Sequence, residues 1–180
     1  MPAWKGIVNK FFTIEEFKVY CKTLNWDDWT PDFIVLHNTG APNLEQRPHG
    51  LTAQHIQNFV TYYRDTNHWS AGPHFFVDDH GIWAFTSALF PGVHSPSWNR
   101  VSLGVEMLGN YECESFDVGR GALVHKNAVN MLATLHNALG IEASTMRMHY
   151  EDKLTTHKCP GKHVVKASII KEIELAMVVS

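Results

Sequence analysis

The chain has 180 residues, of which 44% are hydrophobic and 18% are charged, and its formal net charge is −3 with neutral histidines. These values are typical of one globular domain, and the lack of clustered Lys and Arg argues against nucleic acid as the main partner. No run of eighteen apolar residues occurs, so the sequence predicts no insertion into a membrane.

The N-terminus and the cysteines bear on where the protein acts. The first residues contain neither an apolar core nor a small-residue cleavage site, so the sequence predicts synthesis in the cytoplasm without a signal peptide. Three cysteines are too few, and oddly numbered, for a disulfide framework. Cys21 is predicted to be a small core residue, and Cys113 lies in a polar segment. Only Cys159 has reactive neighbours, in the stretch "HKCPGKH".

In the first part of the chain, helix and strand signals alternate. Thr13 to Glu16 form a capping box, which predicts the start of a helix. The apolar run from Phe33 to Leu36 predicts a strand buried on both faces, with His37 at its carboxyl end. A loop rich in Gly, Pro and Asn follows, and Thr52 is predicted to cap a second helix.

The second part of the chain continues this alternation. "HFFVDDHGIWAF" predicts a hairpin, and "VSLGVEML" predicts a strand that contains Glu106. An amphipathic helix ends at Gly140, and a short strand, "TMRMHY", leads through the "HKCPGKH" loop to a closing helix. The pattern predicts one α/β domain over residues 1–180, with a mixed central sheet flanked by helices. Its core spans about 30–178, and residues 1–29 form an N-terminal helical segment.

Glu106 is an unusual residue for its predicted strand. A carboxylate within the apolar run "LGVEML" is costly to bury unless it is paired or functional. Alternation could instead turn Glu106 toward solvent on an edge strand, but Leu103 and Leu108 leave no clean polar face. Perturbed carboxylates concentrate in functional sites, so the sequence favours a functional role.

Three histidines and Cys159 allow more than one kind of site. His37, His149 and Cys159 offer the nitrogen and sulfur ligands that zinc prefers, and they would converge from separate elements at one edge of the sheet. No closely spaced ligand pair such as C-x-x-C is present, so spacing alone is a weak signal. Cys159 could instead be a nucleophile with His149 or His157 as its base. An inert buried cysteine near solvated histidines is the third interpretation.

Several segments together resemble one known family. The strand ending "FIVLHNTG", the hairpin "HFFVDDHGIWAF", "PGVH" followed by "SLGVEM", and "MHYEDKLTTHKCPGKH" are similar to the zinc-dependent N-acetylmuramoyl-L-alanine amidases. This family includes phage-type lysozyme amidases and peptidoglycan recognition proteins. The resemblance covers the chain from about Phe33 to the final helix, and it implies the amidase-like α/β fold.

The resemblance implies a role for each residue of the site. His37, His149 and Cys159 would bind Zn²⁺, and Glu106 would be the general base. His157 matches a position where the family commonly has lysine, and it would polarise the scissile carbonyl. The competing assignment exchanges His149 and His157.

Relatives that use a catalytic tyrosine carry it directly before the hairpin histidine, where this chain has Pro73. The resemblance also implies substrate contacts by His94, His74 and Asn38.

The implied reaction is hydrolysis of the amide bond between N-acetylmuramic acid and L-alanine in peptidoglycan or in muropeptides, by a monomer. The expected context is a phage or prophage endolysin that reaches the cell wall through a holin lesion. The alternatives are a muropeptide-recycling amidase, a secreted effector amidase, or a non-catalytic peptidoglycan-binding protein of the same fold. Such binding proteins typically lack a zinc ligand, whereas this sequence retains all three candidates.

Overall fold

The structure is a computed structural model that describes residues 3–179. Its four helices are α1 (Ile14–Lys22), α2 (Ala53–Thr61), α3 (Gly119–Leu139) and α4 (Lys166–Val179), and a π-helical turn, Tyr62–Thr66, continues α2. The six strands are β1 (Ile7–Phe12), β2 (Phe33–Asn38), β3 (Phe75–Val77), β4 (Ile82–Thr86), β5 (Ser102–Met107) and β6 (Arg147–Met148).

The strands form one mixed sheet in the order β1-β4-β3-β5-β2-β6. Strands β3, β5, β2 and β6 run parallel to one another. At one side of the sheet β4 pairs antiparallel with β3, and β1 pairs antiparallel with β4. The apolar runs of β2 and β5 are almost entirely buried, because both strands lie inside the sheet. The predicted fold class, a single α/β domain with a mixed sheet and flanking helices, is confirmed.

The two faces of the sheet carry different kinds of side chain. Because side chains alternate along a strand, Leu36 and Val105 project to one face, where they join the main apolar core. Helices α1 and α4 both pack against α3. The other face carries His37, Glu106 and Phe76 in one row, since these residues are paired in register across β2, β5 and β3. We call this the site face.

The local signals of the sequence are found where they were expected. Thr13 and Glu16 form the reciprocal capping box at α1, and Thr52 caps α2. Gly140 ends α3 with φ 66°, a left-handed conformation that suits glycine. None of the described helices is long and apolar enough to cross a membrane.

The N-terminal segment differs from the prediction. Residues 7–12 form β1, which pairs with β4, so the segment 1–29 is not only helical. A register shift between Ile7 and Lys10 interrupts the ladder, and Asn9 has φ 45°. Such a bulge breaks the period-two alternation by which a strand is recognised in a sequence. The sequence of β1 therefore shows no regular alternation of apolar and polar residues.

Candidate metal and catalytic site

Three side chains from distant parts of the chain converge at the carboxyl end of β2. His37 lies on β2, His149 follows β6 directly, and Cys159 lies on the loop before α4. Since β6 pairs with β2, the two histidines reach the same edge of the sheet. The candidate ligand atoms of the three residues all lie within 4.8 Å of one another. These are the three ligands that the resemblance implied.

Cys159 is held against the end of β2. The backbone N–H of Asn38 donates to Cys159 Sγ over 3.1 Å. Burial, and then the charge of Glu106, raise the pKa of the thiol. A thiol whose pKa is raised has little thiolate at neutral pH, which argues against its acting as a free nucleophile. A cation bound at this position would offset the burial and favour the thiolate.

His37 is buried, and its ring is fixed by His94. Nε2 of His94 lies 3.3 Å from the carbonyl oxygen of Ser102, and Nδ1 of His94 lies 3.1 Å from Nε2 of His37. A carbonyl oxygen only accepts, so His94 carries its proton on Nε2 and accepts at Nδ1 from His37. This leaves the lone pair of His37 on Nδ1. Burial, followed by the neighbouring His94, His149 and His157, lowers the pKa of His37, which keeps that lone pair unprotonated.

His149 is the third member of the cluster. Its ring centroid lies 4.3 Å from that of His37, and burial lowers its pKa to about 4. Nε2 of His149 is enclosed and has no hydrogen-bond partner within residues 3–179. An enclosed nitrogen without a partner is costly, and coordination of a metal or a water would relieve that cost. Two neutral imidazoles and one sulfur at this spacing suit zinc better than the harder cations, which prefer oxygen.

Glu106 lies opposite His37 in the parallel pair of β5 and β2. Because β5 is an interior strand between β3 and β2, the alternative of an edge position facing solvent is wrong. The side chain is partly buried, and burial raises the pKa of its carboxyl group to about 8. No described residue donates a hydrogen bond to it. A carboxyl group held beside a candidate metal site, with a pKa near neutrality, is suited to taking and returning a proton.

His157 is exposed, and its ring stacks on His149 with a centroid distance of 5.3 Å. It borders two cavities. One, of about 460 Å³, is lined in part by Trp69, His94 and His149. The other, of about 530 Å³, is lined in part by Lys158 and Lys162. His157 is therefore placed where a bound substrate could touch it.

The three predicted substrate contacts have different surroundings. His94 is almost fully buried, and although it lines the first cavity, both of its ring nitrogens are used inside the protein. It packs directly over Gly104 of β5, where an added Cβ would lie 2.4 Å from His94 Cγ. This arrangement indicates that His94 orients His37.

His74 and Asn38 also face the protein. His74 has no exposed surface; it accepts from the Gly104 N–H and donates to the Phe90 carbonyl oxygen, so its burial argues against the predicted contact with substrate. The Asn38 side chain donates to Gly109 O, and its backbone supports Cys159. We therefore interpret both residues as structural supports of the site.

Asp152 was not singled out from the sequence, yet it connects the two loops that carry His94 and His149. The hydroxyl groups of Ser95 and Ser97 donate to its carboxylate over 2.6 and 2.5 Å, and the backbone N–H groups of Ser97 and Leu154 also donate to it. These donors lower its pKa although burial opposes them. Nothing in the local sequence relates Asp152 to serines more than fifty positions earlier.

Comparison with known proteins identifies the family. Residues 27–162 match the model of the N-acetylmuramoyl-L-alanine amidase family, Amidase_2. The chain belongs to this family, which confirms the resemblance and supports a peptidoglycan amidase or peptidoglycan-binding function.

Individual relatives agree with this assignment. A peptidoglycan recognition protein of Trichoplusia ni is 33% identical over 98 residues, which are 48% of this chain and 53% of that protein. The chain thus spans about half the length of this curated relative. Among solved structures, the endolysine N-acetylmuramoyl-L-alanine amidase LysCS from Clostridium intestinale superposes with a TM-score of 0.65 at 20% identity, covering 97% of both chains. Drosophila PGRP-LB gives 0.61 at 18% identity, covering 78% of this chain and 79% of its own.

Proposed function

We propose that the protein is a zinc-dependent amidase that cleaves the bond between N-acetylmuramic acid and L-alanine in bacterial peptidoglycan. The observation that carries this proposal is the cluster of His37, His149 and Cys159 beside a carboxyl group, Glu106, that is paired in register with the first of them. Zinc held by these three residues would polarise the scissile carbonyl and lower the pKa of a coordinated water.

Glu106 is the general base of the proposed mechanism. Its carboxylate accepts a proton from the attacking water and returns it to the nitrogen of the leaving L-alanine. Its raised pKa favours both steps near neutral pH, because neither protonation state is then strongly preferred. His157 borders both cavities and donates a hydrogen bond to the carbonyl oxygen as negative charge develops there.

The retention of all three ligands and of Glu106 favours catalysis over binding alone. A non-catalytic peptidoglycan-binding protein would not need a carboxyl group buried beside the cluster, since that burial is costly. The endolysin context is part of the proposal. The likeness to LysCS supports the fold that an endolysin would have. Whether the protein cleaves intact sacculi or only soluble muropeptides would distinguish an endolysin from a recycling enzyme.

Digestion of purified sacculi and of soluble muropeptides, followed by mass spectrometry, tests the proposal. We expect release of peptides with a free L-alanine amino group, loss of release with 1,10-phenanthroline, and recovery when zinc is added. Cleavage of intact sacculi supports the endolysin, and cleavage of soluble fragments alone supports a recycling enzyme. Retention on sacculi without cleavage would identify a binding protein, and activity that resists the chelator but is lost on thiol alkylation would identify a cysteine hydrolase.

A further inference from the structure

A cavity with a basic lining lies beside the candidate site, and the proposed mechanism gives its lysines no task. Its volume is about 530 Å³, and three lysines line it: Lys158 and Lys162 from the loop before α4, and Lys166 at the start of α4. His157 borders this cavity and also the cavity of about 460 Å³ that is lined in part by His149. A substrate that contacts His157 therefore has room on both sides. We call these two spaces the basic cavity and the neutral cavity.

Two carboxylates offset part of the charge of the basic cavity. Lys166 Nζ lies 2.8 and 2.9 Å from the two carboxylate oxygens of Glu151. Glu112 Oε1 lies 3.9 Å from Lys158 Nζ, and Glu112 Oε2 accepts from the backbone N–H of Lys162 over 3.1 Å. In the described part of the chain, no carboxylate forms an ion pair with the Lys162 ammonium group. Three ammonium groups beside two carboxylates leave a positive excess here, although the net charge of the whole chain is −3.

The basic cavity offers accessible ammonium groups next to apolar surface. The side chain of Lys158 is 82% exposed, and Lys162 is exposed as well. Tyr150 and Val165 line the same cavity, and both are large hydrophobic residues that remain exposed. A carboxylate pairs with an ammonium group through a charge-assisted hydrogen bond, and an adjoining peptide chain covers apolar surface. The lining therefore suits a peptide that carries free carboxylates.

The neutral cavity, on the other side of His157, has a different character. Within residues 3–179, no Asp, Glu, Lys or Arg is among the residues that line it. Hydroxyl, amide and indole groups take their place: those of Ser95, Asn99, Thr155, Thr156 and Trp69. The two halves of the proposed substrate differ in the same way. The sugar is uncharged because its lactyl carboxyl group forms the scissile amide, whereas the stem peptide that begins with L-alanine carries free carboxyl groups.

We propose that the basic cavity binds the stem peptide, and that Lys158 and Lys162 determine specificity by pairing with its carboxylates. The sugar then lies toward the neutral cavity, with the scissile bond between the two cavities beside His157. Neither lysine touches the reacting atoms, so both contribute to binding and to the choice between free and amidated stem peptides. Lys166 is left out of this role because Glu151 already occupies its ammonium group. The assignment rests on the proposed amidase function.

The double variant Lys158→Gln/Lys162→Gln tests the role, with Lys171→Gln, an exposed lysine of α4, as its matched control. Each protein receives peptidoglycan with free carboxyl groups and the same material after conversion of those groups to carboxamides with a carbodiimide and ammonia. Both sacculi and soluble muropeptides are prepared in this way, and the form that the wild type cleaves is used. The rate at limiting substrate reports kcat/KM, and the rate at saturation reports kcat.

We expect the wild type to cleave the free form about three- to tenfold faster than the amidated form at limiting substrate, because exposed ion pairs contribute modestly. The double variant should lose this preference by slowing on the free form alone, with unchanged rates at saturation, zinc content and melting temperature. The control should behave as the wild type. Added salt should reduce the preference of the wild type, since it screens exposed charges.

Two results would overturn the role of the lysines while leaving the proposed function intact. One is a wild type that cleaves the free and the amidated forms at equal rates, a measurement that needs no variant. The other is a double variant that keeps the preference of the wild type, or that slows equally on both forms. A wild type that cleaves neither sacculi nor soluble muropeptides would instead overturn the proposed function.

Discussion

At the scale of single residues, Glu106 combines a position beside the candidate metal site with a cost to stability. Burial raises the pKa of its carboxyl group from 4.5 to about 8. Between these two values the folded protein binds more protons at this residue than the unfolded chain does. The contribution of Glu106 to stability therefore becomes less favourable as the pH rises through this range.

We expect Glu106→Gln to stabilise the metal-free protein in a pH-dependent way. The variant and the wild type should melt at similar temperatures near pH 5, and the variant should melt higher by several degrees at pH 8.5, because glutamine carries no buried charge. Differential scanning fluorimetry in the presence of EDTA measures this. With zinc, the same variant should retain the metal and lose most of its turnover.

Glu45→Gln, at an exposed loop position, provides the control and should change neither property. A melting-temperature difference that stays constant from pH 5 to pH 8.5 would show that burial does not raise the pKa of Glu106.

At the scale of elements, the candidate site depends on how two loops are held to each other. Asp152 accepts hydrogen bonds from Ser95 and Ser97 of one loop and from Leu154 of the other. These loops carry His94 and His149, so one carboxylate sets the relative position of one candidate ligand, His149, and of the residue that contacts another candidate ligand, His37. The depressed pKa of Asp152 means that this contribution is present at neutral pH and is lost as the pH falls below the unfolded value of about 3.8.

We expect Asp152→Asn to lower the melting temperature at pH 7 and to reduce kcat/KM. A hydrogen-bonded buried charge contributes about 2 kcal/mol, which corresponds to a shift of roughly 4–8 °C in a chain of this size. The difference from the wild type should shrink as the pH is lowered toward 3, because Asp152 of the unfolded wild-type chain then binds a proton that the folded protein does not bind. Asp28→Asn, at an exposed position, is the control. If the melting temperature of Asp152→Asn were lower than that of the wild type by the same amount at pH 3 and at pH 7, the loss would come from altered packing and not from the lost charge.

Most elements of the fold could be predicted from the sequence because their signals are local. The capping box at Thr13, the buried run of β2 and the glycine after α3 each act within a few residues. The sequence does not predict strand β1 because its bulge disrupts the alternation, and the strand pairs with β4, which lies about seventy to eighty positions later in the chain. A pattern within a short stretch of sequence does not predict a pairing strand that lies so far along the chain.

The site was predictable only in part. The residue types indicated a metal or nucleophile site, and the resemblance to a family selected His37, His149 and Cys159. Nothing local to His74 indicated that both of its nitrogens are used by backbone groups, since those partners come from β5 and from a separate loop.

At the scale of the whole molecule, the metal would join parts of the chain that are otherwise held together by packing. A ligand that binds only the folded state stabilises it by about 2.7 kcal/mol at a hundredfold excess over its Kd. Zinc should therefore raise the melting temperature of the metal-free protein by roughly 5–10 °C. His149→Ala should abolish this shift, whereas His157→Ala should keep it and lower kcat.

Thermal melts with and without zinc measure both variants side by side. The reverse pattern, with the shift lost in His157→Ala and kept in His149→Ala, would show that the two histidines exchange roles.

Gly104 has a consequence for anyone who wishes to engineer this protein. Glycine in a strand interior ordinarily weakens the strand, so replacing it with valine or threonine is a standard way to gain stability. Here the space above Gly104 belongs to the imidazole of His94, which an added Cβ would meet at 2.4 Å. A replacement chosen for β-propensity would displace that ring, and with it the orientation of His37. The most obvious stabilising substitution in β5 is thus one that a redesign of this chain must leave alone.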